Sequence, residues 1–188
     1  MLCVHKIDQI MRTTVIIALL IGMAGVWYAF VPAAVLAQDE EPIRWMSWEE
    51  AVAANEQVKK KFIVDVYTQW CGWCKRMDAT TFKDPDVIDY INKYFYAVKL
   101  DAEQKGDIEF QGTTFKWVAG GRNGVHTLAY SLLDGRMSYP SIVYLTENFE
   151  RIAISPGFKR PADLMKELQW VAEELYTRIS LQEYRLQH

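Results

Sequence analysis

Cys71 and Cys74 stand three residues apart, a few positions beyond the apolar run Phe62-Ile63-Val64-Asp65-Val66-Tyr67. The run is β-branched and aromatic and reads as a buried strand. Cys71-Gly72-Trp73-Cys74-Lys75-Arg76-Met77 reads as the start of a helix. A strand that delivers a Cys-x-x-Cys pair to a helix N-terminus has a definite chemical use. Free helix amides and the macrodipole stabilise a thiolate on the first cysteine, moving its pKa from about 8.5 toward about 7 or lower. The second cysteine, one turn on, can attack a mixed disulfide formed by the first.

Other uses of the pair fit less well. Zinc wants about four ligands, and beyond residue 37 only His126 and His188 would join the two cysteines. Haem attachment wants a histidine directly after the second cysteine, where Lys75 stands. A purely structural disulfide stays open, although so short a loop gains little unfolded-state entropy.

The third cysteine, Cys3, belongs to a different kind of segment. Lys6 and Arg12 precede an uncharged stretch from Thr13 to Ala37, apolar almost throughout from Val15 to Phe30. Val35-Leu36-Ala37 offers small or modest residues at a cleavage site, and Gln38-Asp39-Glu40-Glu41 is abruptly polar. This is the pattern of an export signal. The alternative is an uncleaved anchor, since Val15 to Ala37 is long enough to span a bilayer. On either reading, residues 38–188 form a domain outside the cytoplasm, periplasmic or secreted after cleavage, or membrane-anchored facing the periplasm. Cleavage after Ala37 would leave 151 of the 188 residues; losing Lys6, Arg12 and Asp8 takes the net charge from −3 to −4. Only Cys71 and Cys74 would remain.

Composition excludes several classes. Charged residues at 24% and aromatics at 13% do not describe a disordered chain. Lys+Arg at 21 against Asp+Glu at 24 gives no basic excess, so no nucleic-acid partner is expected.

Along the chain, Ser47-Trp48-Glu49-Glu50 is a capping box opening a helix to about Lys60, with Trp48, Ala51 and Val52 inward. Asp84-Pro85 caps a helix carrying Val87, Ile88, Ile91 and Tyr94 at helical spacing. Phe95 to Leu100 is the next strand. Asp107 to Val118 reads as a small hairpin around Gly112, Gly120 to Gly124 as a loop, and Val125 to Leu133 as a short helix. Strands over 141–145 and 151–155 form a hairpin, and Pro161 starts a helix with Leu164, Leu168, Val171 and Leu175 on one face. The order is α/β, with early strands parallel.

Residues 62–75, FIVDVYTQWCGWCK, resemble the active-site strand and helix of the thioredoxin superfamily, with Trp73 where thioredoxin itself has proline. Ala97-Val98-Lys99-Leu100-Asp101 resembles its next core strand, Tyr139-Pro140-Ser141 its cis-proline loop, and Pro156-Gly157-Phe158 the turn before its last helix. The likeness covers residues 45–178, and with WCGWCKRMDATTF it is similar to exported bacterial thioredoxin-like proteins. It implies an α/β thioredoxin fold: a mixed central sheet flanked by helices, with an inserted hairpin or loop before the cis-proline. It also implies roles. Cys71 would be the attacking thiolate and Cys74 the resolving thiol. Asp65 would be a buried acid that takes the proton from Cys74, its rival reading being an edge-strand aspartate facing water. Lys99 would keep that acid tolerable, or be an ordinary strand-end lysine. Pro140, cis, would present the Tyr139 backbone to an extended substrate. Gly72, Trp70 and Trp73 would line the landing surface, although Trp70 reads better as cover for the core. Phe110, Phe115 and Trp117 could form one wall of a substrate groove but read better as core cover, and His126 reads as surface or structural.

The implied function is a protein thiol–disulfide oxidoreductase, a reductase more than an oxidase. No cofactor is needed beyond the redox-active Cys71–Cys74 pair, and no metal is expected. The partners would be substrate proteins bearing thiols or disulfides, and an electron-donating membrane thiol relay. A reading from another class is a chaperone-like or peptide-binding module in which the Cys71–Cys74 disulfide is structural.

Overall fold

The apolar run ending at Tyr67 becomes the central strand of a five-stranded sheet. The computed structural model describes residues 41–121 and 123–187; the leader reading of residues 1–37 and His188 lie outside them. In chain order the elements begin with β1 (Trp45–Met46), α1 (Trp48–Gln57), β2 (Lys61–Tyr67), α2 (Gly72–Ala79) and a 3-10 turn (Thr81–Lys83). Then come α3 (Pro85–Tyr94), β3 (Phe95–Asp101), β4 (Ile108–Phe110), β5 (Thr113–Phe115), β6 (Trp117–Val118) and β7 (Val125–His126). The chain continues through α4 (Thr127–Leu132), β8 (Ser141–Leu145), β9 (Arg151–Pro156), α5 (Pro161–Ala172), a second 3-10 turn (Leu175–Thr177) and α6 (Leu181–Gln187). Among the described residues, no helix is long and apolar enough to cross a membrane.

The sheet order is β1-β3-β2-β8-β9. β1 and β2 run parallel to β3, while β8 is antiparallel to β2 and β9 to β8. Successive side chains of β2 point to opposite faces, and both faces are covered. Phe62, Val64 and Val66 pack with Tyr96, Val98 and Leu100 of β3 under Trp48 and Ala51 of α1 and Leu128 and Leu132 of α4. Ile63 packs with Ala97, Ile142 and Tyr144 under Met77 of α2, Val87 and Ile91 of α3, and Leu164 and Leu168 of α5. Asp65 and Lys99 share that second face by alternation and stand opposite each other in the β2–β3 register.

Local signals explain most boundaries. Ser47 Oγ accepts from the Glu50 N–H at 3.2 Å while a Glu50 carboxylate oxygen accepts from the Ser47 N–H at 2.8 Å, closing the capping box of α1. Asp84 Oδ1 accepts from the Val87 N–H at 3.2 Å, and Pro85 is the first residue of α3. β4 and β5 form a hairpin whose two turn residues, Gln111 and Gly112, have φ of 49° and 74°, the left-handed pair that a two-residue turn requires. At Gly124, φ is +73° and a Cβ would stand 2.3 Å from the Trp117 ring, so only glycine fits.

The structure corrects two boundaries. Val125 and His126 do not open a helix; they pair with Trp117 and Val118, and α4 begins at Thr127. Of the two readings of His126 the structural one holds: it is fully buried, Nδ1 accepts from the Leu128 N–H at 3.3 Å, and Nε2 lies 3.1 Å from the Gly106 carbonyl. Tyr94, at helical spacing from Ile91, is 40% exposed, its ring against Tyr90 at 4.6 Å. The last apolar face breaks after Ala172, where Glu174 turns left-handed (φ 58°) and puts Leu175 in a 3-10 turn.

α6 is fastened by a buried carboxylate. Glu167 of α5 is fully buried, and it accepts from the Tyr144 hydroxyl at 3.0 Å, from Ser155 Oγ at 3.1 Å and from the Arg185 guanidinium of α6. Glu167→Ala would strand the Tyr144 hydroxyl in the core, whereas Arg185, with 42% of its side chain exposed, can return to water. We expect a loss of about 2–3 kcal/mol, read as a lower urea midpoint, with Glu167→Gln losing less.

Candidate active site

The C-terminal end of β2 hands the chain to α2 through a turn closed by the Cys71 N–H, which donates to the Thr68 carbonyl at 3.1 Å. Cys71 is the N-cap of α2, and its Sγ accepts from the Cys74 N–H at 3.1 Å. A disulfide joins Cys71 to Cys74 (S–S 2.06 Å), with both residues buried. In the reduced pair, the same amide and the same helix end would favour a thiolate on Cys71. Gly72, the first residue of α2, has open space where a side chain would stand.

The two tryptophans flank this pair on different sides. Trp73 packs its ring 5.6 Å from that of Phe158, with the Arg76 guanidinium 5.2 Å from the Trp73 ring centre. Trp70 meets Tyr139 edge-on at 5.9 Å and donates its indole N–H to Glu103 at 2.8 Å. Trp70 is 60% exposed and Trp73 56%. The reading of Trp70 as core cover is therefore overturned: the Glu103 carboxylate holds the ring outward. By contrast, Phe110 does cover the core, 5.1 Å from Trp48 and 4.8 Å from Phe149, and Phe115 packs against the same cluster. Trp117 instead fills the space beside Gly124 under the Lys105 ammonium.

The Tyr139–Pro140 peptide is cis. The Pro140 carbonyl accepts from the Gly157 N–H at 2.8 Å, which ties this loop to the residue after β9. Burial, followed by the charges of Glu103 and Asp101, pushes the Tyr139 phenol up to about 12.

Beneath α2 lies the charged pair. Asp65 is 1% exposed on the central strand, so the edge-strand alternative does not describe it. Lys99 Nζ donates to Asp65 Oδ2 at 2.6 Å and to Asp78 Oδ1 of α2. It also lies 4.8 Å from the ring centre of Trp45 and 5.1 Å from those of Tyr67 and Phe82. Asp65 Oδ1 is buried with no donor among the described residues. Burial raises the Asp65 carboxyl above its ordinary range, and the attraction of Lys99 only partly offsets this. Burial also works against the Lys99 charge, but Asp65 and Asp78 outweigh it, so Lys99 is held above the usual lysine value.

Two participants were missed by sequence reasoning. Asp78 stands one helical turn beyond Cys74, a spacing that puts both on one helix face, so its signal was present. Glu103 had none: it is positioned by a local turn in which its own N–H donates to Asp101 Oδ1 at 2.9 Å.

Comparison with known proteins places this geometry in a family. The family model described as Thioredox_DsbH, "Protein of unknown function, DUF255", matches residues 32–160. A solved structure described as DsbH Oxidoreductase superposes with a TM-score of 0.51 at 16% identity, covering 71% of this chain and 86% of that one. A thioredoxin from Thermus thermophilus gives 0.52 at 17% identity, covering 70% and 88%. Among curated proteins, human Spermatogenesis-associated protein 20 is 24% identical over 110 residues, or 58% of this chain but only 12% of that protein's own length. The chain belongs to the Thioredox_DsbH (DUF255) family and has the thioredoxin fold.

The raised Asp65 carboxyl has a measurable consequence. Its folded value lies above the ordinary 3.8, so the folded chain keeps a proton over a range where the unfolded chain releases it. The associated stability is present near pH 4 and below, and is lost as pH rises through the folded value. Urea midpoints measured upward from about pH 4 should fall more steeply for the wild type than for Asp65→Asn. Equal slopes would contradict the assignment.

Proposed function

We propose that this chain is a protein thiol–disulfide oxidoreductase that works by exchange at Cys71 and Cys74. The observation that carries the reading is the Cys71–Cys74 disulfide at the N-cap of α2, with the Asp65–Lys99 pair on the sheet face that α2 covers. In the reduced protein the Cys71 thiolate attacks a substrate disulfide. A Cys71–substrate S–S bond forms, the substrate S–S bond breaks, and one substrate sulfur leaves as a thiolate that takes up a proton. Cys74 then loses its proton and attacks Cys71 Sγ. The intramolecular disulfide forms and the second substrate sulfur is released as a thiol. The substrate gains two electrons and the protein loses two, ending with the bonded pair.

Asp65 is the acceptor we assign for the Cys74 proton. A carboxylate whose pKa is raised by burial is a stronger base at neutral pH than an exposed one. Lys99 stays charged through either state of Asp65, because Asp78 remains as its second partner. The Cys74 proton then moves within an ion cluster that never leaves the lysine alone.

We assign the reducing direction and a place outside the cytoplasm. The direction rests on the likeness of the Trp-Cys-Gly-x-Cys-Lys frame and Asp65 to reducing members of the superfamily. The location rests on the leader pattern of residues 1–37. In an oxidising compartment such a reductase needs a dithiol donor, and a membrane thiol relay is the class of partner that supplies one. Pairs of this kind span about −270 to −120 mV; a value near the reducing end supports the assignment and one near the oxidising end overturns it. The exposed Trp70 and Trp73 favour, as a second reading, a module that binds unfolded chains. Insulin reduction with dithiothreitol separates the two. Catalysis should be lost in Cys71→Ser, and Cys74→Ser should accumulate mixed disulfides on Cys71. Undiminished binding of unfolded chains by a wild type that does not catalyse reduction would support the module instead.

A further inference from the structure

A cavity of about 730 Å³ opens beside the redox pair, within the size range of specific ligand pockets. Trp70 and Tyr139, the residues directly before Cys71 and Pro140, make its wall nearest the disulfide. Val125, Tyr130 and Met137 make much of the rest, together with Gly120, Gly121 and Gly124. Tyr130 is 53% exposed, so this apolar lining is open to a ligand rather than sealed in the core.

Two carboxylates stand at one side of this cavity. Glu103 lines it and, among the described residues, accepts from neutral donors, Trp70 Nε1 at 2.8 Å and Asn123 Nδ2 at 3.1 Å. Asp101, two residues away, likewise accepts from Gln69 Nε2 at 3.0 Å and the Glu103 N–H at 2.9 Å. Among the described residues, neither carboxylate has an ion-pair partner. An apolar cavity beside two carboxylates that no cation among the described residues pairs attracts an apolar group that carries a cation beside it, and repels an acidic one.

We propose that this cavity is a specificity pocket for the polypeptide substrate. It takes an aromatic or aliphatic side chain close to the target cysteine, and Glu103 and Asp101 select a lysine or arginine next to that side chain. The inference rests on the thiol–disulfide exchange reading and adds the substrate class to it. Glu103 serves twice: it holds Trp70 in the wall of the pocket, and it supplies the charge that sorts substrates.

The test uses the full chain in reduced form and four synthetic peptides, each closed by one disulfide and bearing Phe-Arg, Phe-Glu, Gly-Arg or Gly-Glu beside the cysteine. Hydroxyethyl disulfide serves as a small uncharged reference. The Phe-Arg peptide should be reduced about tenfold faster than either Phe-Glu or Gly-Arg, in keeping with the modest rate effects of charge at a rim. The Arg-over-Glu preference should shrink as salt rises from about 0.05 M to about 0.5 M. It should also shrink in Glu103→Gln, whose amide oxygen can still accept from Trp70. Equal rates for the four peptides, with hydroxyethyl disulfide still reduced, would overturn the pocket and leave the exchange reading standing. A charge preference unchanged in Glu103→Gln would overturn the role given to that residue. Failure to reduce any disulfide would overturn the exchange reading itself.

Discussion

A carboxylate in the middle of a sheet is admissible only where a cation meets it, and here the meeting is fixed by strand register. Parallel pairing sets Asp65 against Lys99, and sliding β3 by one residue would turn Lys99 to the other face and leave Asp65 buried alone. The apolar residues around the pair obey the same register, since Ile63 and Ala97 lie on that face while Val64 and Val98 lie on the other. Through Asp78, the ammonium also reaches α2, the helix that begins at the disulfide. One lysine thus joins two strands and the disulfide-bearing helix, and the cysteine pair inherits its position from that junction.

The parts that were legible in the sequence are those decided by near neighbours. The capping box at Ser47, the Asp84-Pro85 start of α3 and the alternation through β2 each depend on residues within a few positions, so chain order alone exposes them. The Cys-x-x-Cys pair is of this kind too, because helix end, N-cap and second thiol are all contiguous. What escaped was set by distant partners. His126 could not be known as a buried cap without its contact at Gly106. The outward pose of Trp70 depends on Glu103, 33 residues away. The break after Ala172 follows a left-handed residue, Glu174, whose side chain reaches Lys61 of β2 at 2.9 Å, a contact that no helical periodicity announces.

The surface around the disulfide is asymmetric. On one side Trp73, Arg76 and Phe158 form a stacked group beside a lysine, Lys159, whose ammonium is spent on the carbonyls of Ser155, Pro156 and Gly157. Behind this group lies a buried cation that burial holds below its ordinary pKa, and a cavity of about 320 Å³ opens beside Phe158 and Lys159. On the other side Trp70 and Tyr139 border the larger cavity, about 730 Å³, with the Glu103 carboxylate in its lining.

Gly124 shows how far composition can mislead about freedom. The run Gly120-Gly121-Arg122-Asn123-Gly124 has the wording of a flexible linker. Yet at its end the Trp117 ring already occupies the place of a side chain, and the backbone is left-handed there as well. At its start, a Cβ on Gly120 would meet nothing within 4 Å. Two identical letters four positions apart thus carry opposite freedom: a side chain at position 120 would stand in open space at the mouth of the cavity, while position 124 has no room for one as long as the tryptophan stays.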